Sequence, residues 1–239
     1  MPKQWVVPDI HGCSRSLRAL VESHIVPAKD DHLYFLGDFV DRGPDSKGVL
    51  DYVMGLQQQG YTVFPLKGNH EEFFVKSFDE EKELKSFLFF KQRNKSKLQW
   101  LKHGGLEAMQ SFHTENLLDI PEHYIEWMRN LPLYHELDKF VLVHAGLNFD
   151  IPNPFEDTHT MLWVREFKVR SYKIGYRRLI HGHVPVSLDF IDLTIKSSSY
   201  PFIDLDNGCY MANRNGFGNL VALELGTMEL KVQPNIDMD

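Results

Sequence analysis

The sequence has 239 residues, 43% hydrophobic and 25% charged, ordinary proportions for one large or two small globular domains, and these exclude bulk disorder. Lys and Arg number 26 against 33 Asp and Glu, a formal charge of −7, which argues against nucleic-acid binding through a broad basic surface. No apolar run approaches the roughly 18 residues of a membrane span, and the two cysteines, Cys13 and Cys209, make neither a disulfide framework nor a zinc ribbon. With polar chemistry beginning at Asp9 there is no stretch that reads as a signal peptide, so a cytoplasmic protein without a membrane partner is expected.

Three strand-then-helix units fill the first 80 residues. An apolar run at 4–8 precedes a helix that Ser14 could cap and that reaches about residue 24. A second run at 32–36 leads through a Gly/Pro-marked loop to a helix over 46–59, stopped by Gly60. A third run at 61–66 precedes a helix starting near His70. Strands and helices alternating at this spacing predict parallel βαβ pairing.

From about 79 to 131 the pattern changes. Leu84, Phe87, Leu88, Leu98, Trp100, Leu101, Leu106, Met109, Tyr124, Trp127 and Met128 recur at helical spacing among charges. No linker bounds this stretch, so it reads as a helical insert within a single domain spanning 1–239. Strands are predicted at 133–137, 139–144 and 178–181, with a long loop at 148–158. The tail from 188 to 233 reads as a meander, with strands at 202–205, 220–225 and 228–232. The fold class is α/β.

Ligand-type residues follow the strands. Asp9-Ile10-His11-Gly12 comes after the first, Gly37-Asp38-Phe39-Val40-Asp41-Arg42-Gly43 after the second, and Gly68-Asn69-His70-Glu71 after the third. Strand C-termini of a parallel sheet share one edge, so these groups can meet in one crevice. Val143-His144-Ala145-Gly146 and His181-Gly182-His183 end later strands in the same way. Carboxylates, an amide oxygen and imidazoles without thiolates suit divalent Mn, Fe or Zn. Six such groups exceed the needs of one tetrahedral ion and suggest two ions sharing a carboxylate, a design suited to in-line displacement at phosphorus. Arg42 and Arg165 could grip phosphate oxygens as bidentate forks.

This ordered set resembles the calcineurin-like metallophosphoesterases, and within them the serine/threonine protein phosphatase family, particularly its small phage-type and bacterial members. Trp163-x-Arg165, Asp206-Asn207-Gly208 and Gly218-Asn219-Leu220 add to the resemblance. It implies an αββα sandwich with central mixed sheets flanked by helices. It further implies that Asp9 and His11 hold one metal, that Asp38 bridges both, and that Asn69, His144 and His183 complete the second. His70 would be the general acid, oriented by Asp41, while Arg42 and Arg165 hold the phosphoryl group and a bridging hydroxide attacks it. Manganese is the expected ion, with iron or zinc as alternatives.

Four positions depart from the family pattern: Pro8, Lys67, Val184 and Asn207. None is a proposed ligand. The expected substrate is phosphoserine or phosphothreonine on a protein, or a small phosphoester. A symmetrical dinucleoside tetraphosphatase ranks second, because such relatives are expected to lack the Asp41-Arg42 pair and to carry Asp in place of Glu71. A phosphate-binding module without turnover ranks third. His181 and Cys13 read as structural, and the Cys209-x4-Arg214 spacing does not match a cysteine-dependent phosphatase.

Overall fold

Residues 2–86 and 93–238 are described by a computed structural model; the apolar residues 87–90, including Phe87 and Leu88 of the predicted insert, lie outside them. Strands β1 (Gln4–Val7), β2 (His32–Phe35) and β3 (Thr62–Pro65) pair in parallel, as expected. They read as continuous apolar runs because both faces of the sheet are covered. Trp5, Val7, Leu33 and Phe35 face a helical layer, while Val6 and Tyr34, one residue out of phase, face a second sheet. The helical layer contains α1 (Ser14–Ala19), α2 (Ser46–Gln58) and α3 (Asn69–Ser86), which contribute Leu17, Leu50, Val53 and Phe74 to that core.

Two details of these helices differ from the sequence reading. Ser14 does not cap α1; it lies inside the helix, and its hydroxyl donates to Asp45 Oδ2 at 2.6 Å, tying the first loop to the second. Past Ala19 the helix widens to π geometry over Leu20–Ile25 and ends at Val26 with φ +46°. Helix α2 is capped as the physics of orphan amides requires, with Asp45 Oδ1 accepting from Gly48 N at 2.8 Å.

The insert is helical where it is described: α4 (Lys95–Trp100), α5 (Gly105–Ser111) and α6 (Glu122–Arg129). Trp100, Met109, Tyr124 and Met128 are buried in the same core as α1–α3, whereas Leu98 and Leu106 are exposed.

The second sheet contains β4 (Tyr134–Glu136), β5 (Phe140–Val143), β6 (Arg178–His181) and β7 (Phe202–Asp204), ordered β4-β5-β6-β7, with β4 antiparallel and the others parallel. Strands β8 (Asn219–Glu224) and β9 (Leu230–Pro234) extend the first sheet to β3-β2-β1-β8-β9. Leu142, Ile180 and Ile203 of one sheet meet Val6, Tyr34, Val221 and Leu223 of the other. Val141, Val143 and Leu179 face outward to Met161 and Ile174. Two mixed sheets flanked by helices are therefore the architecture.

The predicted meander is corrected. Leu188–Lys196 is a helix, α8, following the short α7 (Thr158–Trp163) at the end of the long loop. Ser187 Oγ accepts from Phe190 N at 3.3 Å, and Ile191 and Ile195, four residues apart, are both buried. That is helical periodicity, which the search for alternation passed over. Helix α8 carries the chain across to β7, parallel to β6, so within this tail the antiparallel hairpin is confined to β8 and β9. Among the described residues no helix is long and apolar enough to cross a membrane.

Candidate active site

The C-terminal ends of β1, β2 and β3 in one sheet and of β5 and β6 in the other converge, so all five ligand-type groups meet although they come from two sheets. The loops lock together through their backbones. Ile10 N and His11 N donate to Asp38 O (3.0 and 2.8 Å), and Gly12 N donates to Phe39 O (2.9 Å). The buried Glu71 carboxylate accepts from Asp38 N, Phe39 N and Gly68 N (2.8 Å each) and from Val40 N (3.3 Å). His11, Asp38, Asp41, Arg42 and His183 all have positive φ, between +48° and +73°. Strained backbone concentrated in this way marks sites where the surroundings over-determine a side chain's direction. Two glycines make room for carboxylates: a Cβ on Gly68 would meet Asp38 Oδ1 at 2.1 Å, and one on Gly182 would meet Asp9 Oδ1 at 2.2 Å.

Two groups of side chains place their donor atoms within 4.8 Å of one another: His11, Asp38 and His70, and Asp38, His144 and His183. Asp38 belongs to both. Its Oδ2 lies 3.5 Å from His11 Nε2 and its Oδ1 3.5 Å from His144 Nε2. Asn69 Oδ1 and His183 Nδ1 stand 3.0 and 3.2 Å from His144 Nε2. His11 Nδ1 is turned to Val40 O and His144 Nδ1 to Leu36 O, both at 3.0 Å, so each ring donates outward and directs its Nε2 lone pair inward. A positive group already stands at this edge of the site: the Arg42 guanidinium lies 2.8 Å from His11 Nε2 and 3.0 Å from His70 Nε2.

The electrostatics call for cations. Burial drives His11 and His144 below their ordinary imidazole value, and His183 down to about 3. Burial opposes the Asp38 anion, but His144, His70, His11 and His183 around it outweigh that cost and hold its carboxyl well below the usual range. Asp9 is pushed well up by burial, by Asp206 and by Asp38, and burial raises Asp206 to about 7. Asp206 Oδ2 is buried without a hydrogen-bond partner. Three crowded carboxylates, one with an orphaned oxygen, fit bound divalent ions.

Asp9 takes a different place from its neighbours, its two oxygens accepting from the His183 amide at 3.2 and 3.1 Å. His70 Nδ1 is 2.6 Å from Asp41 Oδ2, and Trp100 Nε1 reaches both Asp41 oxygens at 3.0 and 2.9 Å. Burial works against the His70 cation, but Asp38 and Asp41 outweigh it and hold His70 above its ordinary value. Arg165 is exposed, yet close enough to contribute to the lowering of His183.

Sequence reasoning gave no role to Trp100, Asp206 or Tyr210, whose ring lies 4.5 Å under the Arg42 guanidinium. Only Asp206 carried a signal, in its Asp-Asn-Gly turn. Of the departures, Asn207 clamps the tail loop: its amide nitrogen donates to Val186 O and Gly216 O (2.8 and 2.9 Å), while its oxygen accepts from Asn219. Lys67 Nζ turns away to Arg129 O at 3.0 Å.

The model of the calcineurin-like phosphoesterase family matches residues 2–207. A symmetrical bis(5'-nucleosyl)-tetraphosphatase of Nitrosospira multiformis is 30% identical over 145 residues, covering 60% of this chain and 43% of its own length. The chain thus spans under half of that relative. The asymmetrical bis(5'-nucleosyl)-tetraphosphatase PrpE of Bacillus cereus is 27% identical, covering 98% of this chain and 94% of its own. A solved structure provisionally described as a diadenosine tetraphosphatase superimposes with a TM-score of 0.64 at 21% identity, over 98% of this chain and 96% of the other, which shows a shared fold.

These likenesses correct the expected protein phosphatase activity. The sequence reading separated the two activities by the Asp41-Arg42 pair and by Glu71. Asp41 and Glu71 are buried, one bound to His70 and Trp100 and the other to four backbone amides. Asp41 and Glu71 therefore hold the scaffold, and a guanidinium such as Arg42 suits the phosphoryl group of either substrate class, so none of the three separates the two activities.

Proposed function

The chain belongs to the calcineurin-like phosphoesterase family, and on that premise we propose that it hydrolyses dinucleoside tetraphosphates with two divalent cations. The carrying observation is the pair of His/Asp clusters that share Asp38 beneath the Arg42 fork. The names of the relatives support the substrate class. Manganese is the ion we favour, with iron or zinc as alternatives, because the donors are oxygens and imidazoles without thiolates. Residues 1–239 are taken as a single catalytic domain, since both sheets supply the site.

Bound divalent ions would activate water and neutralise phosphate charge. Asp9, His11, Asp38, Asn69, His144 and His183 would hold them. Arg42, steadied by the Tyr210 ring, grips a phosphoryl oxygen, with Arg165 on the exposed side. Water oxygen bonds to phosphorus as the bridging P–O bond breaks, His70 gives its proton to the departing phosphate oxygen, and the proton the water loses passes to solvent, from which His70 is reprotonated. Asp41 and Trp100 keep that imidazole aimed. The free, buried thiols of Cys13 and Cys209 support a reducing, cytoplasmic setting.

Metal-loaded protein is expected to cleave diadenosine tetraphosphate with a kcat/KM at least about tenfold above that for a phosphoserine peptide. Anion-exchange chromatography of the products reads the result. Two ADP indicate cleavage of the central bridge, and ATP with AMP cleavage beside it. A preference for the peptide would overturn the proposal.

Asp206→Asn should act in opposite directions on two observables. Removing a crowded, orphaned carboxylate should raise the melting temperature of the metal-free protein. Loss of its charge should weaken metal binding by about 10- to 100-fold in a calorimetric titration. Unchanged metal affinity would show that Asp206 does not serve the ions.

A further inference from the structure

A cavity of about 710 Å³ has no role in the reaction as described. Its wall carries Phe73 and Lys76 of α3, Lys102 and His103 after α4, and His159 and Trp163 of α7. All three stretches run into the active site. His70, Phe73 and Lys76 are spaced three apart, which places them along one side of α3. His103 precedes Gly104, whose carbonyl accepts from Arg42 N at 3.2 Å and on which a Cβ would meet Arg42 N at 2.4 Å. Helix α7 is tied to the site by Ala145 N, which donates to Met161 O at 2.9 Å and follows His144 directly.

The lining has a definite chemistry. The Phe73 ring centroid lies 5.8 Å from those of His103 and Trp163, and His159 lies 6.3 Å from Trp163 with their planes 23° apart. Lys76 and Lys102 are exposed beside this aromatic wall. Glu72, the acidic side chain on the same rim, is paired with Lys67 at 3.5 Å. Flat rings beside exposed ammonium groups fit a nucleobase joined to phosphate, since every base offers a π face. The volume lies in the range of small-molecule sites.

We infer that this cavity is a nucleotide subsite, in which Trp163 and Phe73 hold one base of the substrate while Lys76 and Lys102 hold the phosphates leading from it to the metals. The inference rests on the tetraphosphatase reading for the identity of the substrate, but its test does not need turnover. ADP and inorganic pyrophosphate are titrated into the metal-loaded protein by calorimetry. Trp163→Ala is expected to weaken ADP about tenfold and leave pyrophosphate within about twofold, with Trp163→Phe recovering most of the ADP affinity. Lys102→Ala should weaken both ligands about threefold. Wild-type ADP affinity in Trp163→Ala would overturn the subsite; should that variant not fold, wild-type ADP affinity in Lys102→Ala would do so. If diadenosine tetraphosphate is not cleaved while ADP binding still depends on Trp163, the proposed function fails and the subsite stands. If the dinucleotide is cleaved and both variants bind ADP normally, the reverse holds.

Discussion

Asp38→Asn is expected to lower turnover of diadenosine tetraphosphate by at least about 10³-fold, or ~4 kcal/mol of barrier, and to reduce bound metal from two ions to at most one per chain. Asp38 is the residue common to both donor clusters, with one oxygen turned to His11 and the other to His144. Asparagine keeps the shape and one acceptor oxygen, so His70 N, which donates to Asp38 Oδ1 at 3.0 Å, retains its partner. It also tolerates the +50° φ at this position better than most residues. The fold should therefore survive, and a thermal melt would check that. What disappears is the negative charge that two neighbouring cations need between them. Elemental analysis and a product assay on the same preparation read the two effects. Near-full turnover with two ions still bound would remove Asp38 from the centre of the mechanism.

The ligand-type groups that converge in the structure were legible because each one combines a strand end with residue types that have few other reasons to stand together. Asp9-x-His11, Asp38, Asn69-His70, His144 and His183 need only local reading once the strands are found. Their arrival from two sheets was implied by the family resemblance and was not legible in the local pattern. Val143 and Ile180 read like the first three strands, and nothing local says that β5 and β6 pair with each other and not with β1. Helix α8 was missed for a related reason. In residues 188–196 the buried Ile191 and Ile195 sit among Phe190, Leu188 and Leu193, so apolar side chains occur on most faces and the helical period is blurred.

The supporting residues were harder still. Trp100 lies 59 positions from Asp41 and reads as an ordinary apolar member of an amphipathic helix. Its indole N–H finds a function only when α4 packs over the loop after β2. Asp206 looked like a turn residue, and it is one: its Oδ1 accepts from Gly208 N at 2.7 Å. The second oxygen, unpartnered beside Asp9 and Asp38, is visible only in three dimensions. Glu71 failed in the opposite way. It was noticed, but motif spacing could not tell that its carboxylate is spent on loop amides and does not face the substrate.

His70→Asn is expected to separate proton donation from metal binding at one residue. The ring has two conceivable duties, because its Nε2 is 4.0 Å from Asp38 Oδ2 and it falls in the same donor cluster as His11. Its other nitrogen is committed to Asp41 at 2.6 Å, and Trp100 fixes that carboxylate in turn. An imidazole backed by a carboxylate and held above its ordinary pKa is suited to giving up a proton where charge develops on a leaving oxygen. On that argument the variant keeps two metal ions and loses about 10²- to 10⁴-fold in kcat. The loss should also depend on the leaving group. Phenyl phosphate, whose leaving oxygen is strongly basic, should suffer more than p-nitrophenyl phosphate, whose phenolate departs without help. A metal ligand would behave differently: bound metal would fall toward one ion, and both aryl phosphates would slow by the same factor. Elemental analysis of the variant, together with the ratio of its two rates, decides between a proton donor and a ligand, and an unchanged ratio with one metal missing would reassign His70.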